Sequence, residues 1–169
     1  MAKQDFKPTN GIKKYAEILR PNKAAPPILS AEMRIAIRQW LVEISSEEEL
    51  ITMGIHARRT AMLSGPPGCG KTTLAHHFSA RIGVPLLVVN TASLISCYLG
   101  STGNNINELF QEVEDQKDSC ILFMDEFDAI STSRTSGGQG ASQERNSIVV
   151  ALLQKIDTFT GTLIAATNR

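Results

Sequence analysis

Gly65-Pro66-Pro67-Gly68-Cys69-Gly70-Lys71-Thr72 is the stretch on which the reading of this sequence turns. It satisfies G-x-x-x-x-G-K-[ST] at every fixed position, follows a short apolar run and opens a helical stretch. The glycines let the backbone curl so that successive N–H groups converge on phosphate oxygens. A helix beginning near Lys71 adds the partial positive charge of its N-terminus. Lys71 supplies a point charge for the β- and γ-phosphates, and the Thr72 hydroxyl can ligate Mg²⁺. The phosphate-binding set is therefore Gly65 through Thr73. Pro66, Pro67, Gly68 and Cys69 fill its variable positions, Cys69 as a small residue.

Working outward, four apolar runs lie at 60–64, 85–90, 120–125 and 162–167, rich in Leu, Ile and Val with little alternation. Strands buried on both faces of a parallel sheet read this way. Helical stretches at 71–82, 104–115 and 143–157 separate them, so the chain predicts right-handed crossovers and a three-layer α/β fold. The Ser/Gly-rich segment 131–142 is expected to be a mobile loop, and no internal repeat is visible.

Toward the N-terminus the character changes. Residues 1–23 hold six Lys or Arg against two acids, and Pro21, Pro26 and Pro27 interrupt any helix begun between Ile12 and Leu19. We expect 1–29 to be a solvated arm or linker with one short helix, and 30–169 to be the folded domain. From Ser30 a helical period appears in Met33, Ile37, Trp40, Leu41 and Ile44, with Trp40 expected in the core. Ser46 and Glu49 form a capping-box pattern for a second short helix that Gly54 ends.

Composition excludes several classes. The 169 residues are 42% hydrophobic and 20% charged, which suits a globular core and excludes a disordered or collagen-like chain. Lys plus Arg equals Asp plus Glu, so there is no global electrostatic footprint for nucleic acid or an anionic membrane. No apolar run approaches the roughly 20 residues of a membrane span, and the start lacks a signal peptide's apolar segment. No membrane partner is expected. Three cysteines without metal-ligand spacing point to a reducing, cytoplasmic setting. His76 and His77 point to different sides of one helix and read as structural.

A second motif carries chemistry. Ile121-Leu122-Phe123-Met124-Asp125-Glu126 is an apolar strand ending in two carboxylates, placed at its end because buried carboxylates without partners are costly. Asp125 is suited to holding Mg²⁺ through its water shell. Glu126, one residue on, is placed to polarise a water for in-line attack on a γ-phosphorus.

With these two motifs in view, the chain resembles the AAA+ ATPases, specifically the AAA family proper, over about residues 30–169. GPPGCGKT resembles that family's Walker A and ILFMDE its Walker B. Leu163-Ile164-Ala165-Ala166-Thr167-Asn168-Arg169 is similar to its sensor-1 strand, which implies that Asn168 contacts the γ-phosphate and the attacking water. Tyr98-Leu99-Gly100 looks like the pore loop with which AAA unfoldases grip an extended polypeptide; physically, an aromatic beside a glycine offers sequence-tolerant apolar contact on a flexible mount.

The resemblance implies ATP and Mg²⁺ as cofactors and ATP hydrolysis coupled to remodelling or threading of a protein substrate. It also implies a homo-oligomeric ring, a hexamer in that family. Two alternatives stand beside it. A nucleic-acid-handling AAA+ ATPase is one, against which Tyr98-Leu99-Gly100 argues. A nucleotide-dependent regulatory switch without sustained turnover is the other. The family's pattern continues past sensor 1 with an arginine finger, a fifth strand and a helical lid. The resemblance thus implies a partial module, or one completed by another chain, whose first sheet strand lies on an edge and which alone binds ATP·Mg²⁺ far better than it turns it over.

Overall fold

The computed structural model describes residues 6–91, 94, 105–128 and 139–168. Its elements are α1 (Asn10–Tyr15), β1 (Glu17–Leu19), α2 (Ala31–Ser45), α3 (Glu47–Thr52), β2 (Thr60–Ser64) and α4 (Lys71–Ile82). After them come β3 (Leu86–Asn90), α5 (Asn105–Glu114), β4 (Ile121–Asp125), α6 (Gln139–Thr158) and β5 (Thr162–Thr167). The five strands form one sheet in the order β1-β3-β4-β5-β2. β3, β4, β5 and β2 are mutually parallel, whereas β1 is antiparallel to β3. This is the three-layer α/β fold of a P-loop NTPase.

The layers follow from the near-continuous apolar runs. In a strand, neighbouring side chains face opposite sides, so Leu122, Met124, Leu163 and Ala165 join α1, α5 and α6 on one face. Ile121, Phe123, Ile164 and Ala166 join α4 and the inner side of α2 on the other. Neither face can be polar, because both carry helices. β2 is the exception: Thr60, Met62 and Ser64 are exposed, as its place at the sheet edge requires.

Residues 10–19, expected in a solvated arm, are part of the fold. Ile12 is fully buried, and Glu17, Ile18 and Leu19 pair with Val88, Leu87 and Leu86. The Glu112 carboxylate of α5 accepts hydrogen bonds from the Thr9 hydroxyl and, at 2.8 Å, from the Ile12 backbone N–H. A Cβ at Gly11 would lie 2.5 Å from that carboxylate, so a larger residue there would push Glu112 off these bonds.

Three further local expectations are corrected. Ser46 starts α3 but makes no side-chain cap bond, because it also ends α2 and its backbone (φ −98°, ψ 18°) is not the extended one a capping residue takes. Gly54 does follow α3, in the left-handed region at φ 74°. Helix α6 begins at Gln139, so 139–142 of the expected loop are helical; 131–138 lie outside the described residues. Trp40 is half-buried rather than enclosed: it stacks on Phe78 with ring centroids 4.1 Å apart and donates its indole N–H to the Arg58 carbonyl at 2.6 Å. His76 meets the Arg20 carbonyl at 2.9 Å, a structural role as expected.

Candidate functional site

Strands β2, β4 and β5 end on the same side of the sheet, and each delivers a part of the site where it leaves its ladder. At the end of β2 the chain enters the loop 65–70. Gly68 (φ 77°) and Gly70 (φ 90°) take left-handed backbone that other residues avoid, and Lys71 then starts α4. No side-chain cap closes the α4 N-terminus, so its first N–H groups face the loop. The Lys71 ammonium donates to the Gly65 carbonyl at 2.7 Å, the Pro66 carbonyl at 3.0 Å and Asn168 Oδ1 at 2.8 Å. One cation thus ties the loop to the residue following β5.

At the end of β4, Asp125 is half-buried and Glu126 exposed. Glu126 has φ 53°, the single non-glycine positive φ among the described residues, and its N–H donates to Asp125 Oδ1 at 2.9 Å. Backbone strain of this kind is held in place by surrounding structure and concentrates at functional sites. Asn90, at the end of β3, donates its side-chain amide to Glu126 Oε2 at 2.9 Å.

A cleft of about 380 Å³ lies between these parts. Its loop side is Pro67, Gly68, Gly70, Lys71, Thr72 and Thr73; Asp125, Glu126 and Asn168 form the opposite side. Gly65 sits beneath the loop. A Cβ there would meet the Cys69 sulfur at 3.0 Å. Pro66 and Cys69 are outside this cleft, and Cys69 opens into a neighbouring groove of about 560 Å³. Pro27, Ile28, Met33 and Met62 give that groove an apolar wall beside the phosphate loop. Tyr98, Leu99 and Gly100 lie outside the described residues.

The donor set fits a triphosphate with Mg²⁺. An ammonium, a helix N-terminus and the Thr72 hydroxyl on one side face the Asp125 carboxylate, a second hard oxygen donor, across the cleft. Among the described residues no cluster of three or more His, Cys, Asp or Glu makes a separate metal site. No described helix is long and apolar enough to cross a membrane.

Sequence reasoning missed Asn90 and the apolar groove. An asparagine ending a strand reads as a turn residue, but Asn90 is in register with Asp125, one residue before Glu126. Parallel pairing of the runs 85–90 and 120–125 was the signal available.

A family model described as ATPase family associated with various cellular activities (AAA) matches residues 61–169. An AAA family ATPase of Sinorhizobium fredii, described as uncharacterized, is 38% identical over 157 residues, covering 91% of this chain and 46% of that protein. An ATP-dependent zinc metalloprotease FtsH of Synechococcus is 33% identical over 130 residues, 75% of this chain and 20% of the protease. The chloroplastic ATP-dependent zinc metalloprotease FTSH 1 of Arabidopsis thaliana is 27% identical over 161 residues, 92% of this chain and 22% of the protease. The chain spans less than half the length of each of these relatives.

Proposed function

Since the chain belongs to the ATPase family associated with various cellular activities (AAA), we propose that it binds and hydrolyses ATP and couples turnover to remodelling or threading of a protein substrate within a homo-oligomeric ring. The observation that carries this reading is the meeting of Lys71 with Asn168 across the mouth of a cleft that Asp125 and Glu126 also line.

In this reading Lys71 and the loop N–H groups hold the phosphates, and the apolar wall at Ile28 and Met62 receives the base. Thr72 and Asp125 would hold Mg²⁺, which when bound supplies charge neutralisation at the phosphate oxygens. Glu126 accepts a proton from the attacking water, and Asn168, an uncharged amide, orients that water without adding charge. Asn90 holds one Glu126 oxygen and leaves the other for the water. The exposed free thiol of Cys69 suits a reducing, cytoplasmic setting.

The protein-substrate reading rests on Tyr98-Leu99-Gly100 and is tested there. In the natural full-length protein, Tyr98→Ala should leave basal ATPase intact and abolish its stimulation by an unfolded polypeptide such as casein. DNA-stimulated turnover that survives Tyr98→Ala would move the assignment to a nucleic-acid-handling ATPase.

A further inference from the structure

β5 loses its neighbour just before it reaches the site. The β4–β5 ladder ends at Met124 and Ala165, because β4 turns away at the left-handed Glu126. On that side, among the described residues, the strand pairing stops short of Ala166, Thr167 and Asn168. The turn after β4 supplies substitutes. The Phe127 N–H donates to the Ala166 carbonyl at 2.8 Å, while Asp128 Oδ1 accepts from the Thr167 hydroxyl at 3.4 Å and from the Asn168 N–H at 3.5 Å.

These contacts close a ring. Asp128 meets Asn168, Asn168 accepts from Lys71, and Lys71 donates to the Gly65 carbonyl. The Gly65 N–H donates to the Thr167 carbonyl at 3.3 Å, and Thr167 returns to Asp128. Asp128 itself does not line the cleft. Its two bonds are long, which suits alignment of a strand end rather than a tight clamp.

We infer that Asp128 is a positioning residue for the hydrolytic reaction, acting through the backbone of Asn168 to aim that amide at the attacking water. The inference rests on the proposed role of Asn168 and concerns what keeps that amide in place. Small misplacements of a reacting group are costly in rate, so removal of the acceptor should lower kcat and leave nucleotide binding alone.

The test is a double-mutant cycle in the natural full-length protein, reading kcat, KM for ATP and ATP affinity. Asp128→Ala should lower kcat about tenfold with KM within about twofold. Asp128→Asn retains an acceptor oxygen and should keep most of the rate. In an Asn168→Ala background, Asp128→Ala should add less than about a twofold loss.

Multiplicative losses, a loss confined to ATP affinity, or equal losses in Asp128→Asn and Asp128→Ala would overturn the inference. If Asn168→Ala slows hydrolysis while Asp128→Ala does not, only this inference falls. If Asn168→Ala has no effect on kcat, the reading of Asn168 falls and this one with it. Should Asp128→Ala fail to fold, Thr167→Val keeps the side-chain shape and removes one donor. It should lower kcat about threefold, and no loss there would overturn the inference.

Discussion

The side-chain amide of Asn90 donates to the carboxylate of Glu126 at 2.9 Å, joining the last residue of β3 to the residue that follows the adjacent parallel strand β4. The bond fixes one oxygen of the group proposed as general base and occupies a lone pair that a water could otherwise meet. Asn90→Ala should therefore raise basal ATP hydrolysis roughly threefold, with ATP affinity unchanged, in steady-state turnover of the natural full-length protein. A fall in turnover would mean that Asn90 aligns Glu126 instead of restraining it.

Of two cysteines that differ in exposure, one lies at the site and the other in the core. Cys69 is exposed in the phosphate loop, whereas Cys120 is buried, and burial, with the Asp118 charge adding to it, pushes its thiol up to about 12. At pH 8, iodoacetamide should alkylate Cys69 and spare Cys120, as mapped by peptide mass. Saturating ATP·Mg²⁺ should slow labelling of Cys69 by about fivefold or more. Unchanged labelling would place the nucleotide away from this loop.

The N-terminal segment is tied to α5 at one carboxylate. Gly11→Ala would displace Glu112, and Glu112→Ala would remove it, so each should cost about 1–2 kcal/mol in denaturant unfolding. The double variant should cost little more than the worse single one, because both delete the same bonds.

Trp40 is the single tryptophan and stacks on Phe78, which is 2% exposed. Phe78→Ala should destabilise by about 3 kcal/mol, near the low end for a core phenylalanine. A cavity of about 230 Å³ already lies beside it, between α2, β2 and α4, so fewer contacts are lost. Tryptophan emission should shift to the red as the indole gains solvent.

Much of the site was legible because its chemistry sits at the ends of apolar runs. Buried strands cannot carry charge internally, so Asp125, Glu126 and Asn168 had to follow their runs. The phosphate loop's glycines had to precede the helix. The opposite holds for Glu17–Leu19: three residues before a proline show no period, and their strand exists only through pairing with Leu86–Val88, distant in sequence. Asn90 and Asp128 escaped for the same reason. Each acts across strands, through a register that no single run displays. The exposed face of β2 likewise reflects its place at the sheet edge, since Met62 reads as core by composition alone.

The central claim is that this cleft hydrolyses a nucleoside triphosphate with Glu126 as the base. Its most direct test compares ATP binding and turnover in the natural full-length protein with those of Glu126→Gln, which removes the base and keeps the side-chain shape. ATP affinity should stay within about threefold while turnover falls about 100-fold or more. Turnover that survives Glu126→Gln would contradict the account.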